Sequence, residues 1–385
     1  MSHYERAGQL VGWGPTVQEI DALATIFEEI THIGCLHKTV APLSSLPYQS
    51  KNVRFIPLQP TGGESIADKV NIIKYTSHYL QVINQWLPWA DIVHVRCPAN
   101  IPLIALLVLA LRKSPKYRWV KYAGNWKPQG KEAFSYTLQR WILEKNLHRG
   151  VVTVNGSWKG QPKHIHSFYN PCLTNDEYGS AGKLAHEKEL KPPYQFVFVG
   201  RLDSAKGVGR ILKICAKLKE KEIPLHLDLV GDGPEKNEFI HLTNELHIQD
   251  LVHFTGWLPR PALSEVYSRS QFILFPSSSS EGWPKVLSEA MAYGVVPISS
   301  NVSSITQILE ATKAGLTFPP DAIDLFAQAI EDLLDHPSIW KEMSLAGMHA
   351  ADQFTYTHYL TAVRELLKKA WDIDLISSPP LKSKF

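Results

Sequence analysis

Ser280-Glu281-Gly282-Trp283-Pro284-Lys285-Val286-Leu287-Ser288-Glu289-Ala290-Met291-Ala292-Tyr293-Gly294 is the stretch on which the fold turns. It follows an apolar run, Phe272–Phe275, closed by Pro276, and a polar loop, Ser277–Ser280. Pro284–Tyr293 reads as a helix, with proline near its first turn and Gly294 as its stop. The chain then returns as a strand, Val295–Ser299. A strand, a glycine-bearing turn, a helix and a strand in that order make one βαβ unit.

The same rhythm extends upstream. Phe196–Val199 is an apolar β-rich run ending at Gly200, and the turn Arg201–Gly207 leads into the helical stretch Ile211–Lys219. Leu225–Val230 is a second strand, ended by Gly231-Asp232-Gly233-Pro234 and followed by a helix over Glu235–Leu246. Val252–Phe254 is a short strand and Leu263–Ser268 a short helix. Strands that are apolar throughout are expected where helices cover both faces of a parallel sheet. Ligands sit at the carboxyl ends of such strands, where these glycine turns lie.

The first half has the same style with less contrast. Helices are expected over Gln18–Phe27, Ile66–Leu80, Ile101–Leu111 and Tyr136–Leu147. Strands are expected over Ile30–Leu36, Val53–Ile56, Ile92–Arg96, Arg118–Tyr122 and Val151–Val154. The stretch Asn170–Pro193, rich in Pro, Gly, Asn and charge, marks the boundary between two domains, 1–175 and 190–350. The segment 351–385 follows, with a helix over Leu360–Trp371 and a frayed end. A doubly wound domain opens on an apolar strand, yet residues 1–10 supply at most a fragment of one. Either the sheet lacks its first strand or the chain starts late.

The 385 residues, 44% hydrophobic and 20% charged, exclude a disordered chain and a disulfide scaffold. A net charge of +3 does not announce nucleic acid. Ten Lys/Arg between Arg112 and Arg149 face only Glu132 and Glu144. They form either a solvated face or a basic patch fit for an anionic membrane surface. Cys35, Cys97, Cys172 and Cys215 lack CxxC spacing, which fits a reducing cytosol. The start shows no apolar leader, and Ile101–Leu111 is too short to span a bilayer and reads as a buried helix.

Chemistry concentrates at two turns. Glu281 lies in the loop and Glu289 in the second turn of the following helix, an E-x7-E spacing. Free amides at the helix start make an anion site, and Gly282 permits close approach to the main chain. Two carboxylates flanking a phosphate-binding turn suit hydroxyls on either side of a diphosphate, as in a nucleotide sugar. The alternative is that both acids merely complement the helix dipole. Arg201 and Lys206, after Gly200, can neutralise a diphosphate without metal. Alternatively they are surface partners of Asp203.

Val199–Gly207, Leu229–Pro234 and above all Ser277–Ser300 resemble the family 4 retaining glycosyltransferases of the GT-B fold, two Rossmann-like doubly wound parallel-sheet domains facing across a cleft. The resemblance covers most of residues 194–310. It implies that Arg201 and Lys206 bind the donor diphosphate, that Glu281 contacts the donor sugar and that Glu289 contacts the ribose. It implies main-chain contacts over Gly282, Trp283, Pro284, Lys285, Val286 and Leu287, with Gly200 at the phosphate turn and the base against Trp257 and Leu258. Trp257 could equally be a packed core aromatic. In the first half the resemblance is one of layout. A glycine turn, Gly12-Trp13-Gly14-Pro15, stands near the start. Asn125 of Tyr122-Ala123-Gly124-Asn125-Trp126 stands where the family carries a sugar-contacting histidine. His94 is a second candidate, or a satisfied core histidine.

The implied reaction is retaining, metal-independent hexosyl transfer from a nucleotide sugar, UDP favoured over GDP. The implied acceptor is a hydroxyl of a glycan or lipid-linked glycan in polysaccharide biosynthesis. No cofactor is called for. The resemblance implies a cytoplasmic enzyme, with the basic patch allowing peripheral contact at the inner membrane face. The competing readings are another GT-B enzyme, an inverting transferase or nucleotide-sugar epimerase, and a nucleotide-sugar-binding subunit whose catalytic half has decayed. No P-loop or G-x-S-x-G elbow occurs, and the only DxD triplet, Asp372-Ile373-Asp374, lies in the tail.

Overall fold

The computed structural model describes residues 1–61, 66–128, 130, 132–279 and 281–375, with side chains in the helix that begins at Ile66 described from residue 74 onward. Ser280, Lys131 and the outer part of the tail expected to fray, 376–385, lie outside the described residues. The N-terminal half runs β1 (Ser2–Arg6), β2 (Gln9–Trp13), α1 (Gly14–Leu23), β3 (Ile30–Leu36), β4 (Ser45–Pro47), β5 (Val53–Leu58), α2 (Ile66–Trp86), β6 (Ile92–Cys97), α3 (Asn100–Leu111), β7 (Tyr117–Tyr122), α4 (Phe134–Glu144), β8 (Val151–Val154) and β9 (Ile165–Ser167). The C-terminal half runs α5 (Asn175–Glu187), β10 (Tyr194–Val199), α6 (Val208–Glu220), β11 (Leu225–Val230), α7 (Lys236–Glu245), β12 (Val252–Gly256), α8 (Arg260–Arg269), β13 (Phe272–Phe275), α9 (Lys285–Ala292), β14 (Val296–Ser300), α10 (Ile305–Thr312), β15 (Leu316–Phe318), α11 (Ile323–Asp335), α12 (Pro337–Ala350) and α13 (Tyr356–Trp371).

The C-terminal sheet has the order β12-β11-β10-β13-β14-β15, parallel throughout. Its strands are apolar on both faces because helices cover both. Phe196, Val197, Phe198, Phe272, Ile273 and Leu274 are fully buried, and the rings of Phe196 and Phe272 stack at 5.1 Å. Asn170–Pro193, read as the domain boundary, contains α5, whose start is fixed by a capping box between Thr174 and Glu177. Helix α5 packs against α8, α9 and α12 and so belongs with the C-terminal sheet. Just beyond it, Lys188 donates to the carbonyls of Tyr267, Ser268 and Ser270, tying off the end of α8.

The N-terminal half departs from a single doubly wound sheet. One sheet has the order β4-β2-β1-β3-β5, the other β6-β7-β8-β9. The first strand, expected as at most a fragment, is one arm of a hairpin. β1 and β2 pair antiparallel about Ala7 and Gly8, both at positive φ. β1 meets the parallel strand β3 only at Ser2↔Cys35 and His3↔Leu36. The glycine turn Gly12–Pro15 is the junction itself: Gly12 and Trp13 end β2, and Gly14 and Pro15 open α1. The Ile101–Leu111 helix, expected to be buried, forms as α3 but leaves Leu111 88% exposed.

The two halves are joined at a double crossing. Cys172 N–H donates to the carbonyl of Phe354 at 2.9 Å, and Leu173 bridges Thr355. From there α13 returns to the N-terminal half, where Tyr359, Val363, Leu366 and Leu367 bury against Leu23, Ile26, Trp119 and Val151.

Several cations of the basic run between Arg112 and Arg149 are structural. Arg118 is 1% exposed and donates to the carbonyls of Leu109, Arg112, Pro115 and His148 at 2.6–2.8 Å, gathering the ends of α3 and α4. Replacing it, Arg118→Met, strands buried carbonyls. A loss of about 3 kcal/mol is expected, read as a lower urea midpoint at unchanged m-value.

Candidate functional site

The turn after β10 is shaped by glycine. Gly231 has φ +132°, and a Cβ there would overlap the carbonyl oxygen of Gly200. This lets the ends of β10 and β11 close on each other. Within the turn, the buried Asp203 carboxylate accepts from the main-chain N–H of Lys206 at 2.8 Å and from Arg201 Nε at 2.5 Å. The surface-pair reading of Arg201 is therefore realised. Even so, its side chain remains 68% exposed and lines the cleft. Lys206 is largely buried and ion-paired with the Glu281 carboxylate, its ammonium 6.0 Å from the Phe275 ring centroid. Burial lowers its pKa.

The loop from β13 to α9 is where the halves touch. Glu281 forms a backbone bridge with Gly124. A Cβ on Gly282 would overlap Asn155 Nδ2 and crowd the carbonyls of Ala123 and Gly124, so its missing side chain is needed by the neighbouring domain rather than left open for a ligand. Ser304 Oγ donates to the Gly282 carbonyl at 2.8 Å. Trp283 is a core residue: its Nε1 donates to Ser288 Oγ at 2.6 Å and its ring stacks on Phe354 at 5.3 Å. The side chain of Leu287 is also core, with 0% exposure, and Val286 packs beside it. Lys285 points across the cleft, Nζ donating to the Pro15 carbonyl at 3.2 Å, and burial lowers its pKa.

On the far side of α9, Glu289 accepts from Arg260 Nη1 at 2.7 Å and from the Tyr267 hydroxyl at 3.4 Å. Arg260 is the first residue of α8, and it also donates to Glu177 at 2.8 Å and to the Cys172 carbonyl at 2.7 Å. Burial pulls its pKa down, but the Glu289 and Glu177 carboxylates more than offset this and raise it. Sequence reading did not single out Arg260. Trp257, at the lip after β12, is 43% exposed and lines the cleft with Leu258, so it is not a packed core aromatic.

Gly200, Arg201, Lys206, Trp257, Leu258, Glu281, Gly282, Trp283, Pro284, Lys285, Val286 and Glu289 all line one cavity of about 2840 Å³. Leu287 does not line it, and neither does Asn125, the candidate of the first half, whereas His94 does. The N-terminal wall of the same cavity holds a charge cluster that was also missed. Glu19 of α1 receives Arg96 from the end of β6 (2.7 and 3.2 Å), Lys121 from the end of β7 (2.6 Å) and the Tyr359 hydroxyl of α13 (2.9 Å). Burial favours its protonated form, yet Arg96, Lys121 and Lys285 hold it well below the usual carboxylate range. Lys121, buried, is pushed down to about 7, with Glu19 opposing. His94 is buried against Trp119 at 4.0 Å and pushed down to about 3 by burial, so its ring is neutral. The Asn125 carboxamide oxygen accepts from the N–H of Lys127 in its own loop. Asp372 and Asp374 both pair with Lys368 at the end of α13.

Residues 183–348 match the family Glycosyl transferases group 1. An uncharacterized glycosyltransferase of Haemophilus influenzae is 31% identical over 147 residues, 38% of this chain and 41% of that protein. The alpha-D-kanosaminyltransferase of Streptomyces kanamyceticus is 25% identical over 178 residues, 45% of this chain and 46% of that protein. The match thus spans under half the length of either. Among solved structures, the sucrose-phosphate synthase of Thermosynechococcus elongatus superposes with a TM-score of 0.69 at 19% identity, covering 91% of each chain. The Anabaena protein HepE in complex with UDP gives 0.68 at 13% identity over 96% of this chain and 99% of that one. The fold is GT-B, and residues 183–348 are similar to group 1 glycosyltransferases.

The Glu19 cluster makes a stability prediction. Glu19→Gln leaves two buried cations without their counter-charge, so a loss of about 3–5 kcal/mol is expected in urea unfolding at pH 7. A carboxylate with a depressed folded pKa contributes above its ordinary value of 4.5 and loses that contribution as pH falls through the folded value. The gap between wild type and variant should therefore hold above pH 4.5 and narrow below it.

Proposed function

We propose that this chain is a retaining, metal-independent hexosyltransferase. It moves a sugar from a nucleotide diphosphate, UDP before GDP, to a hydroxyl of a glycan or lipid-linked glycan in polysaccharide biosynthesis. The observation that carries the reading is the placing of two cation–carboxylate pairs, Lys206–Glu281 and Arg260–Glu289, on either side of the first turn of α9 in one cavity. A diphosphate at that turn meets the free amides of the helix start, the guanidinium of Arg201 and the ammonium of Lys206. The Glu281 carboxylate then accepts from sugar hydroxyls, and Glu289, oriented by Arg260, from the ribose. The solved HepE complex with UDP supports the choice of base, and the colanic acid names among the relatives support the acceptor class.

Charge grows on the β-phosphate as the glycosidic bond breaks, and Arg201 and Lys206 are fixed in place to meet it. The leaving phosphate takes the proton of the acceptor hydroxyl on the same face, so the anomeric configuration is retained without a side-chain nucleophile. The contact of Glu281 and Gly282 with Gly124 and Asn155 brings the N-terminal half against the donor end of the cleft.

The reading includes work at the cytoplasmic face of a membrane. The four cysteines are free thiols. No helix among the described residues is long and apolar enough to cross a bilayer. Leu107 and Leu111 of α3 are exposed four residues apart, as are Phe134 and Trp141 seven apart on α4. The exposed Arg112, Lys113, Lys145 and Arg149 follow the C-terminal ends of α3 and α4, and Arg149 donates to the Ala110 carbonyl. Apolar groups among cations suit an anionic surface.

A panel of UDP- and GDP-sugars tests the function, read as release of the nucleoside diphosphate and as product anomer by NMR. UDP release with retention is expected, slowed about 10²–10³-fold by Lys206→Ala. No turnover with any donor, or an inverted product, sinks the reading. Separately, binding to vesicles of anionic lipid at low salt is expected, and Arg112→Gln with Lys145→Gln and Arg149→Gln should abolish it while leaving donor turnover intact.

A further inference from the structure

The proposed function leaves one group of cations without a task. It gives the donor diphosphate to Arg201, Lys206 and the amides of α9, and it engages Glu281 and Glu289 with sugar and ribose. Arg96 of β6, Lys121 of β7 and Lys285, the first residue of α9, line the same cavity and are not used. They meet at Glu19. Its carboxylate accepts from Arg96 at 2.7 and 3.2 Å and from Lys121 at 2.6 Å, and Lys285 stands close enough for its charge and that of Glu19 to act on each other.

Three cations therefore share one carboxylate. The Tyr359 hydroxyl on Glu19 keeps its proton, burial being the main cause, and the His94 ring is neutral. Glu281 and Glu289 across the cleft are engaged by Lys206 and Arg260. The other acids lining the cavity, Glu28, Glu29 and Asp91, are remote. The first two follow the far end of α1, and Asp91 precedes β6, about 16 Å along the strand from Arg96. Little water reaches the group, since the side chains of Glu19, Lys121 and Arg96 are 1%, 5% and 21% exposed. Burial pushes Lys121 down to about 7 against the pull of Glu19, with Arg96 and Lys285 pushing the same way. Positive charge in surplus on a buried wall is costly until a counter-charge arrives. Each ammonium also has three N–H donors. Lys285 Nζ gives one to the Pro15 carbonyl at 3.2 Å and Lys121 Nζ one to Glu19, and among the described residues neither has a second acceptor.

We infer that this wall is an anion subsite for the acceptor: the hydroxyl-bearing sugar carries a phosphate or carboxylate that seats on Lys285, Lys121 and Arg96. The anion belongs to the acceptor because Arg96, Lys121 and Glu19 are all on the N-terminal half, whereas the turn after β10 that takes the donor diphosphate is on the C-terminal half. Cationic donors suit it, because their hydrogen bonds to an anionic oxygen are roughly twice as strong as neutral ones. Glu19 preorganises the subsite, holding the guanidinium and one ammonium in place before the anion arrives. The inference rests on the proposed donor site and adds the charge of the second substrate.

The test begins with calorimetric titration of UDP and GDP. If neither binds, the donor site falls and this inference with it. With the bound nucleotide held saturating, glucose 6-phosphate, glucuronate and glucose are titrated in turn. At least one anionic sugar is expected to bind about tenfold more tightly than glucose, the tighter one telling phosphate from carboxylate, and raised salt should shrink the gap. The Lys285 side chain is half-buried with one bond, to Pro15, so Lys285→Gln keeps the fold. It should bring the preference below about threefold without a fall in Tm. Equal affinity for the three sugars overturns the subsite, and so does an undiminished preference in Lys285→Gln. Anionic sugars that bind only in the absence of nucleotide occupy the donor turn, which also overturns it. UDP-glucuronate and UDP-glucose, titrated alone, are expected to bind alike. Tighter binding of UDP-glucuronate that Lys285→Gln removes puts the charge on the donor sugar and overturns the acceptor assignment. A nucleotide that binds, with no preference among the sugars, leaves the donor site standing, so the two readings fail separately.

Discussion

Everything in the cleft depends on how closely the main chain of Gly282 lies to Ala123, Gly124 and Asn155. The two sheets have separate hydrophobic cores, one around Phe196 and Phe272 and the other around Val120 and Leu143. Without a side-chain-free residue at the contact, the loop before α9 would stand off, and Glu281 could not reach its backbone bridge with Gly124. Lys206 and Glu281 would then face open water, where an ion pair is worth little. The contact brings two half-sites together, and it leaves Lys206 the better shielded partner of its pair, with Glu281 still facing the cleft.

A second tie works from behind. Helix α13 leaves the C-terminal half and buries its apolar stripe on α1 and β7, and its Tyr359 hydroxyl completes the coordination of Glu19. Glu19 thereby gathers groups from α1, from the ends of β6 and β7 and from the far end of the chain, while Lys285 from α9 approaches from the front. Covalently distant elements meet at one buried carboxylate, so the pose of the domains and the ionisation of the cluster are linked.

The C-terminal sheet was legible because its strands are short apolar runs closed by Gly or Pro. Leu225–Val230 and Phe272–Phe275 begin and end where the residues say they do. The turn residues were legible for the same local reason. Arg260 was not: it meets Glu289 from 29 positions away, and nothing near it in sequence marks a partner. Arg118 and Lys121 counted as surface charge in the sequence, yet one is satisfied by carbonyls and the other by Glu19, because pairing across a fold leaves no local trace. Glu19 did leave one, an acid on the buried stripe of α1 between Thr16 and Ile20. The β1–β2 hairpin was missed because its turn is only Ala7-Gly8 and its strands carry Glu5, Arg6 and Gln9 among the apolar positions. Glu281 and Glu289 both proved to have cationic partners, which helix-dipole complementation alone does not require.

The pairing of Lys206 with Glu281 has one more consequence. With the cleft empty, neither group is idle: each neutralises the other. Under the proposed function, an arriving phosphate wins the ammonium away, and in doing so it liberates the Glu281 carboxylate for the remainder of the ligand. Attachment is a swap of partners instead of a simple gain of one. A molecule bearing hydroxyls without phosphate finds the acid already engaged, and a bare phosphate leaves that acid with nothing to hold. On that proposal, a site so wired responds to the two chemical features together, and only weakly to either alone.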